Sequence, residues 1–224
     1  MRVVIAGAGS VGRSIASELL AAEHEVTLID RNPAAMRVAS VADAEWLLAD
    51  ACELSALSQA RADQCDVVVA ATGDDKVNLV VSLLSKTEFG VPRTVARVNN
   101  PRNEWMFDEA WGVDVAVSTP RIMTAMVEEA VAVGDLVKIF TFHQSGADIL
   151  EVTLPEDSTM VGRLVGDVSW PRDTVLAALV RDTSPIAPSP EDTLEAGDEL
   201  LIVAGAEADL DALHELLVTP PAAT

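Results

Sequence analysis

The chain of 224 residues contains no tyrosine, three histidines, two cysteines and only 4% aromatic residues. Without tyrosine and with so little histidine, the usual proton donors of nicotinamide chemistry are scarce. His24 falls in a predicted helix-to-strand turn, His143 near the end of a late strand and His214 on a terminal helix. None of them sits where a substrate site above a sheet needs one. Cys52 and Cys65 match no zinc-binding spacing, and so few cysteines fit a reducing compartment, so both read as small core residues. No apolar run approaches the ~20 residues that span a bilayer, and the N-terminal strand pattern lacks a signal-peptide layout. The expectation is a cytoplasmic protein with no direct membrane insertion. Cations are also few: 15 Lys and Arg face 36 Asp and Glu, a formal charge of −21. That balance argues against nucleic acid and anionic lipid as partners. A Gly-x-x-x-x-Gly-Lys-Ser/Thr loop is absent, and with it the usual apparatus for phosphoryl transfer.

The most informative feature present is the N-terminal run Val3-Val4-Ile5-Ala6-Gly7-Ala8-Gly9-Ser10-Val11-Gly12, followed by a helical pattern and a second apolar run ending in Asp30. A strand that runs into Gly-x-Gly-x-x-Gly and then a helix builds a cradle for phosphates. Gly7 allows the tight turn, Gly9 lets the backbone approach a diphosphate, and Gly12 lets the helix pack closely on the strand. Asp30 can accept hydrogen bonds from a ribose hydroxyl and repels a 2′-phosphate. Its alternative role is to cap the next helix, although Asn32 is better placed for that.

Strand and helix patterns alternate through the first 120 residues. Strands are expected at Arg2–Ala6, Glu25–Asp30, Ala44–Ala49, Val67–Ala71, Thr94–Val98 and Val115–Val117. Helices are expected at Val11–Ala22, Pro33–Val41, Cys52–Ala60, Lys76–Phe89 and Asn103–Trp111. Repeated strand–helix units with continuous apolar strands imply an α/β fold, a Rossmann-like doubly wound parallel sheet. The Met and Val stripe of a helix over Pro120–Val133 is either core or a dimer-forming face. From Leu136 the pattern becomes β-rich, with strands expected at Val137–His143, Ala147–Thr153, Val175–Arg181 and Glu199–Ala204. A turn-rich stretch separates the last two, and a short helix over Ala208–Val218 closes the pattern. Hence the division expected is residues 1–134, with a dimerisation helix near 120–133, and a small α+β C-terminal domain over 135–220. The second part is the more acidic, with 17 of the 36 acids and only 4 of the 15 cations after residue 134.

In this arrangement the chain resembles the cytoplasmic nucleotide-gating subunits of Trk/Ktr-type potassium uptake systems, which join a Rossmann-like RCK (KTN, TrkA-N) domain to a TrkA-C domain. The resemblance is carried by the glycine run, His24–Asp30, Ala49-Asp50-Ala51, Ala70-Ala71-Thr72-Gly73-Asp74-Asp75 and Ala96-Arg97-Val98-Asn99-Asn100-Pro101. In the second part Gly162-Arg163, Leu194-Glu195-Ala196-Gly197-Asp198 and Leu201-Ile202-Val203 carry it. It implies an adenine nucleotide, NAD/NADH or ATP/ADP, across the carboxyl ends of the strands. Gly7, Ala8, Gly9, Ser10, Val11 and Gly12 would meet the phosphates. Asp30 would take the adenosine ribose with Arg31 beside it, Asp50 and Ala51 would border the adenine, and Ala71, Thr72 and Gly73 would pass beneath. Arg97 is the candidate for the terminal phosphates. Asp50 could instead be only a helix cap, and Arg97 could pair with a surface acid; Glu104 is a weaker candidate for bridging a metal. The resemblance also implies dimers that assemble into a ring, and a membrane-embedded potassium transporter subunit as partner. A divalent or monovalent cation or a cyclic dinucleotide in the C-terminal part is a further expectation, tested first at Asp182, Glu191, Asp192 and Asp198. The competing reading is a small NAD-dependent oxidoreductase with an unrecognised substrate site.

Overall fold

A computed structural model of the chain describes residues 1–131, 134–142 and 145–218. Backbone contacts divide it into two compact units, Met1–Arg121 and Ile122–Thr224.

In the first unit six strands form one parallel sheet: β1 (Arg2–Ala6), β2 (Glu25–Asp30), β3 (Glu45–Leu48), β4 (Val67–Ala70), β5 (Arg93–Val98) and β6 (Val115–Ser118), in the order β3-β2-β1-β4-β5-β6. The order reverses between β1 and β4, and such a switch point opens a crevice at the carboxyl ends of the strands. β1 is central and buried on both faces. Its alternate residues serve different cores because successive side chains point to opposite sides of a strand. Val4 and Ala6 join the cluster of α2 (Leu54–Gln59) and α3 (Asp75–Thr87), with Leu57, Leu79 and Val81. Val3 and Ile5 join the opposite cluster, with Ala16, Ile15 and Leu19 of α1 (Ser10–Ala21). Both cysteines belong to the first of these clusters, Cys65 buried and Cys52 partly so.

Two expected helices are replaced by shorter turns. Pro33–Val41 forms only the 3-10 turns Pro33–Ala35 and Val38–Ser40, neither of which contains a buried residue; with Val41 alone of the segment buried, no continuous apolar face extends them. Asn32 does cap the first, accepting from the Ala34 N–H at 3.0 Å. Asn103–Trp111 divides into the 3-10 segments Pro101–Met106 and Glu109–Trp111. The break falls where the Asp108 side chain accepts from the N–H groups of Ala110 and Trp111, a local bond that competes with helix.

The helix expected near 120–133 is α4 (Thr119–Val131); residues 132 and 133 lie outside the described residues. As far as residue 127, its stripe is not a core stripe. Ile122, Met123, Met126 and Val127 are all exposed, Met123 to 65%. The second unit continues with β7 (Val137–Thr141), β8 (Asp148–Thr153), β9 (Thr174–Arg181), β10 (Ser184–Ile186), β11 (Glu199–Ala204) and α5 (Leu210–Val218). Its five strands form an antiparallel sheet in the order β10-β9-β11-β8-β7. One face of this sheet, with Leu150, Val152, Leu179, Leu200 and Ile202, packs with Leu213 and Leu217 of α5. Full burial of each such side chain contributes about 1.5–3 kcal/mol. The α+β reading of this part holds, with β10 as a strand the sequence did not reveal.

Candidate functional site

At the switch point lies a cavity of about 370 Å³. Twelve of the fourteen expected binding residues line it: Gly7, Gly9, Ser10, Val11, Asp30, Arg31, Asp50, Ala51, Ala71, Thr72, Gly73 and Arg97. Ile29, Ala49, Asp74 and Val77 complete the lining.

Ala8 and Gly12, the other two, are not among the lining residues. Ala8 is fully buried, and its backbone N–H donates to Asp30 Oδ2 at 2.8 Å, tying the glycine loop to the end of β2. Gly12 faces the strand: a Cβ placed there lies 1.8 Å from the Gly7 carbonyl oxygen. Helix α1 therefore sits against the loop at a distance only glycine permits. Gly9 differs, since a Cβ there meets no protein atom within 4 Å. The cavity begins at that open space.

The first turn of α1 offers an anion something to bind. Gly9 at its N-cap supplies no side-chain hydrogen bond, and the turn contains no acid. A helix start leaves N–H groups without intrahelical partners and carries a partial positive charge. An adenine nucleotide fits this arrangement: phosphate at the bare helix start, and a ribose at Asp30. Asp30 Oδ1 accepts from the Asn32 N–H at 2.8 Å, so the carboxylate is held in place by a backbone N–H on each oxygen. Each oxygen keeps further acceptor capacity.

The charges around the cavity are unequally engaged. Arg31 is drawn to Asp50, with Nη1 3.4 Å from Oδ2. Asp50 also accepts from the Cys52 N–H at 3.0 Å, and this backbone bond, with Arg31 adding to it and burial opposing it, holds its carboxyl below the ordinary carboxylate value. Asp50 thus closes a turn ahead of α2, whose N-cap is Glu53, and also has a place in the lining. Asp74 caps α3 by accepting from the Lys76 N–H at 2.9 Å. Arg97 pairs with no acid among the described residues. Its Nε donates to Thr119 Oγ1 at 3.0 Å, and no described residue accepts from its Nη atoms.

Two residues that sequence reasoning missed hold the cavity wall. Asn78 on α3 is fully buried and fully engaged: its Oδ1 accepts from the Thr72 N–H (2.9 Å) and hydroxyl (2.6 Å), while its Nδ2 donates to the carbonyls of Thr72 (3.2 Å) and Arg97 (2.8 Å). Asp75 accepts from Asn99 N (2.6 Å), Asn99 Nδ2 (2.9 Å), Asn100 N (3.1 Å) and Asn103 Nδ2 (2.8 Å). Burial pushes the Asp75 carboxyl up, but the Asn99, Asn103 and Asn100 donors outweigh it, and its pKa lies below 3.8. The start of α3 thus locks the loop after β4 to the loop after β5. A polar stripe of Asn78, Ser82 and Ser85, all buried on an otherwise apolar helix face, is the signal that marks this role in the sequence.

Glu104, Asp198 and Asp192 are engaged elsewhere. Glu104 forms an ion pair with Arg121. Asp198 is fully buried and gripped by Arg181, whose Nε and Nη2 reach its two oxygens at 2.7 and 2.8 Å. Asp192 accepts from the Ser189 N–H at 2.7 Å. Among the described residues no group of three His, Cys, Asp or Glu stands close enough to hold a metal ion. His143 lies outside the described residues, and no helix among them is long and apolar enough to cross a membrane.

A parallel sheet in the order 3-2-1-4-5-6, a glycine loop at its switch point and an appended antiparallel-sheet unit define a Rossmann-type nucleotide-binding domain coupled to a small α+β domain. Comparison with known proteins narrows that class. A family model for the TrkA-N domain matches residues 3–119, and one for the TrkA-C domain matches residues 149–218. The Trk system potassium uptake protein TrkA of Mycobacterium tuberculosis is 52% identical over 218 residues, covering 97% of this chain and 99% of that protein. The chain belongs to the TrkA family. Among solved structures, the GsuK channel bound to NAD aligns with 99% of this chain at a TM-score of 0.67 and 16% identity, a likeness of fold. The GsuK structure bound to ADP aligns with 57% of this chain at a TM-score of 0.51 and 26% identity. The chain spans 40% and 33% of those two channel chains.

Proposed function

We propose that this chain is a nucleotide-binding regulatory subunit, which takes ATP/ADP or NAD/NADH in the cavity at the switch point and gates a membrane-embedded potassium transporter subunit. The observation that carries the reading is the pairing, in one cavity, of a bare helix start with a guanidinium whose Nη atoms have no acceptor among the described residues. Gly9, Ser10 and Val11 supply N–H groups on one element, and Arg97 supplies Nη donors from another. Asp30 holds a ribose and selects against a 2′-phosphate, while Ala51 borders the base. Family membership and the NAD- and ADP-bound channel structures support the same ligand class.

The role is regulatory rather than enzymatic. The cavity lining has no histidine, lysine or tyrosine to exchange a proton with a substrate. A nucleotide can change the protein only by binding two of its states unequally. Arg97 makes that inequality available: a nucleotide with terminal phosphates draws its Nη atoms, and a shorter one does not. The output is α4, whose exposed Ile122, Met123, Met126 and Val127 suit pairing with a second copy, the dimers then assembling into a ring on the inner face of the membrane beside the transporter.

The experiment is titration of the purified chain with ATP, ADP, NAD and NADH, followed by a search for absorbance change at the nicotinamide band with candidate substrates. Binding without turnover is the expected result. Turnover of NAD or NADH contradicts it.

A further inference from the structure

We infer that Thr119 is a positioning residue for Arg97, and that its hydroxyl sets how strongly the cavity distinguishes nucleotides by the number of their phosphates. The inference rests on the nucleotide reading of the cavity.

Arg97 is fixed from both ends. Its main-chain carbonyl accepts from Asn78 Nδ2 at 2.8 Å, and its side-chain Nε donates to Thr119 Oγ1 at 3.0 Å. The second contact follows from register. In the β5–β6 pair Arg97 lies opposite Val117 and Val98 opposite Ser118, so Thr119 is the first residue beyond the end of β6. At that place its hydroxyl meets the inner nitrogen of the guanidinium. The two outer nitrogens are left open, with no acceptor among the described residues, on a side chain that lines the cavity. A guanidinium grips phosphate best through two parallel N–H donors, and one that is already aimed loses less freedom on binding. Without the hydroxyl, the Arg97 side chain regains rotamers that point its outer nitrogens away. The loss falls on ligands whose terminal phosphates reach Arg97, and not on those held only by the glycine loop, Asp30 and Ala51. Thr119 is also the first residue of α4, so the bond that aims the cation ends on the helix proposed as the output.

The test is calorimetric titration of the full chain with ATP and with AMP, for the wild type, Thr119→Val and Thr119→Ser, with thermal unfolding recorded for each. Valine keeps the shape of threonine and removes the acceptor; serine keeps the acceptor. Thr119→Val is expected to weaken ATP about fivefold to tenfold, the size of one ordinary net hydrogen bond, and to change AMP by less than about twofold. Thr119→Ser is expected to retain wild-type ATP affinity within about twofold. If Thr119→Val lowers the unfolding temperature enough to prevent titration, Thr119→Ala supplies the same comparison. Equal weakening of ATP and AMP, or no weakening of either, overturns the inference, as does a serine variant that behaves like valine. A wild-type chain that binds NAD but neither ATP nor AMP overturns this inference alone, whereas one that binds no adenine nucleotide overturns the function itself.

Discussion

Replacing Gly12 by alanine puts a methyl group 1.8 Å from the Gly7 carbonyl oxygen and 3.0 Å from its carbon. An ordinary contact begins near 3.4 Å, so the two backbones must part by about 1.6 Å. Gly7 has little room to recoil. Its N–H is bound to the Ile29 carbonyl at 2.8 Å, and its α-carbon is packed so closely against Ala71 and Thr72 that a Cβ there meets backbone at 2.9 Å. Helix α1 must therefore move outward, carrying its N–H groups with it. Overpacking of this kind costs about 1–3 kcal/mol, and the upper end applies because the opposing atom is backbone and cannot change rotamer. For a unit of this size about 3 kcal/mol lowers the unfolding temperature by on the order of 10 °C. Nucleotide affinity falls at least about tenfold as the helix start leaves the phosphates. Gly9→Ala provides the contrast. Its new Cβ meets no protein atom, and Gly9 has φ −63°, which alanine adopts without strain. The weaker N-cap preference of alanine and its lower unfolded-state entropy roughly offset one another. Its unfolding temperature should stay within about 2 °C of wild type. Its nucleotide affinity should nevertheless drop about tenfold or more, because the methyl occupies the ligand's space. Differential scanning calorimetry with nucleotide titration reads both. A Gly12→Ala chain as stable as wild type refutes the packing argument, and a Gly9→Ala chain with unchanged affinity refutes the placement of the phosphates.

Asp75 should contribute stability above pH 3.8 that disappears as the pH falls through its lower folded-state pKa, because protonation removes acceptors from three asparagines. Urea unfolding of Asp75→Asn across the acid range should therefore show a shallower pH dependence than wild type; an identical slope contradicts the role given to the carboxylate. In the second unit, Arg181→Ala removes both guanidinium donors from the buried Asp198, which keeps the Glu195 N–H, and should cost about 3–5 kcal/mol. Replacing both partners by apolar residues should recover most of that loss, and a strictly additive double variant contradicts the pairing.

The sheet of the first unit was legible because its strands are continuous apolar runs and each is followed by punctuation that physical chemistry explains. The glycine loop showed where the cavity begins; Asp30 closes β2, Arg97 is the last residue but one of β5, and Asp50 and Thr72 stand two residues beyond β3 and β4. What escaped was decided by tertiary context. Pro33–Val41 has the composition of a helix but buries only Val41, too little for a helical face. The strand β10 contains Pro185, which reads as a turn signal; proline is tolerated there because β10 is an edge strand, paired on one side only with β9. Ala8 and Gly12 belong to the glycine motif but face away from the cavity, a distinction that depends on which side of the turn each residue falls. Asn78 was hidden inside an amphipathic pattern, since a buried asparagine looks like a break in an apolar stripe until its four hydrogen bonds to Thr72 and Arg97 are seen.

Arg97 is central to the proposed function, as the cation proposed to read phosphate in a cavity proposed to take an adenine nucleotide. Calorimetric titration of wild type and Arg97→Ala with ATP, ADP, NAD and NADH tests this most directly. The predicted result is that the substitution weakens ATP by about tenfold or more, the magnitude of one charge-assisted phosphate contact, and weakens NAD and NADH far less. Equal weakening of all four, or no binding by the wild type, would contradict it.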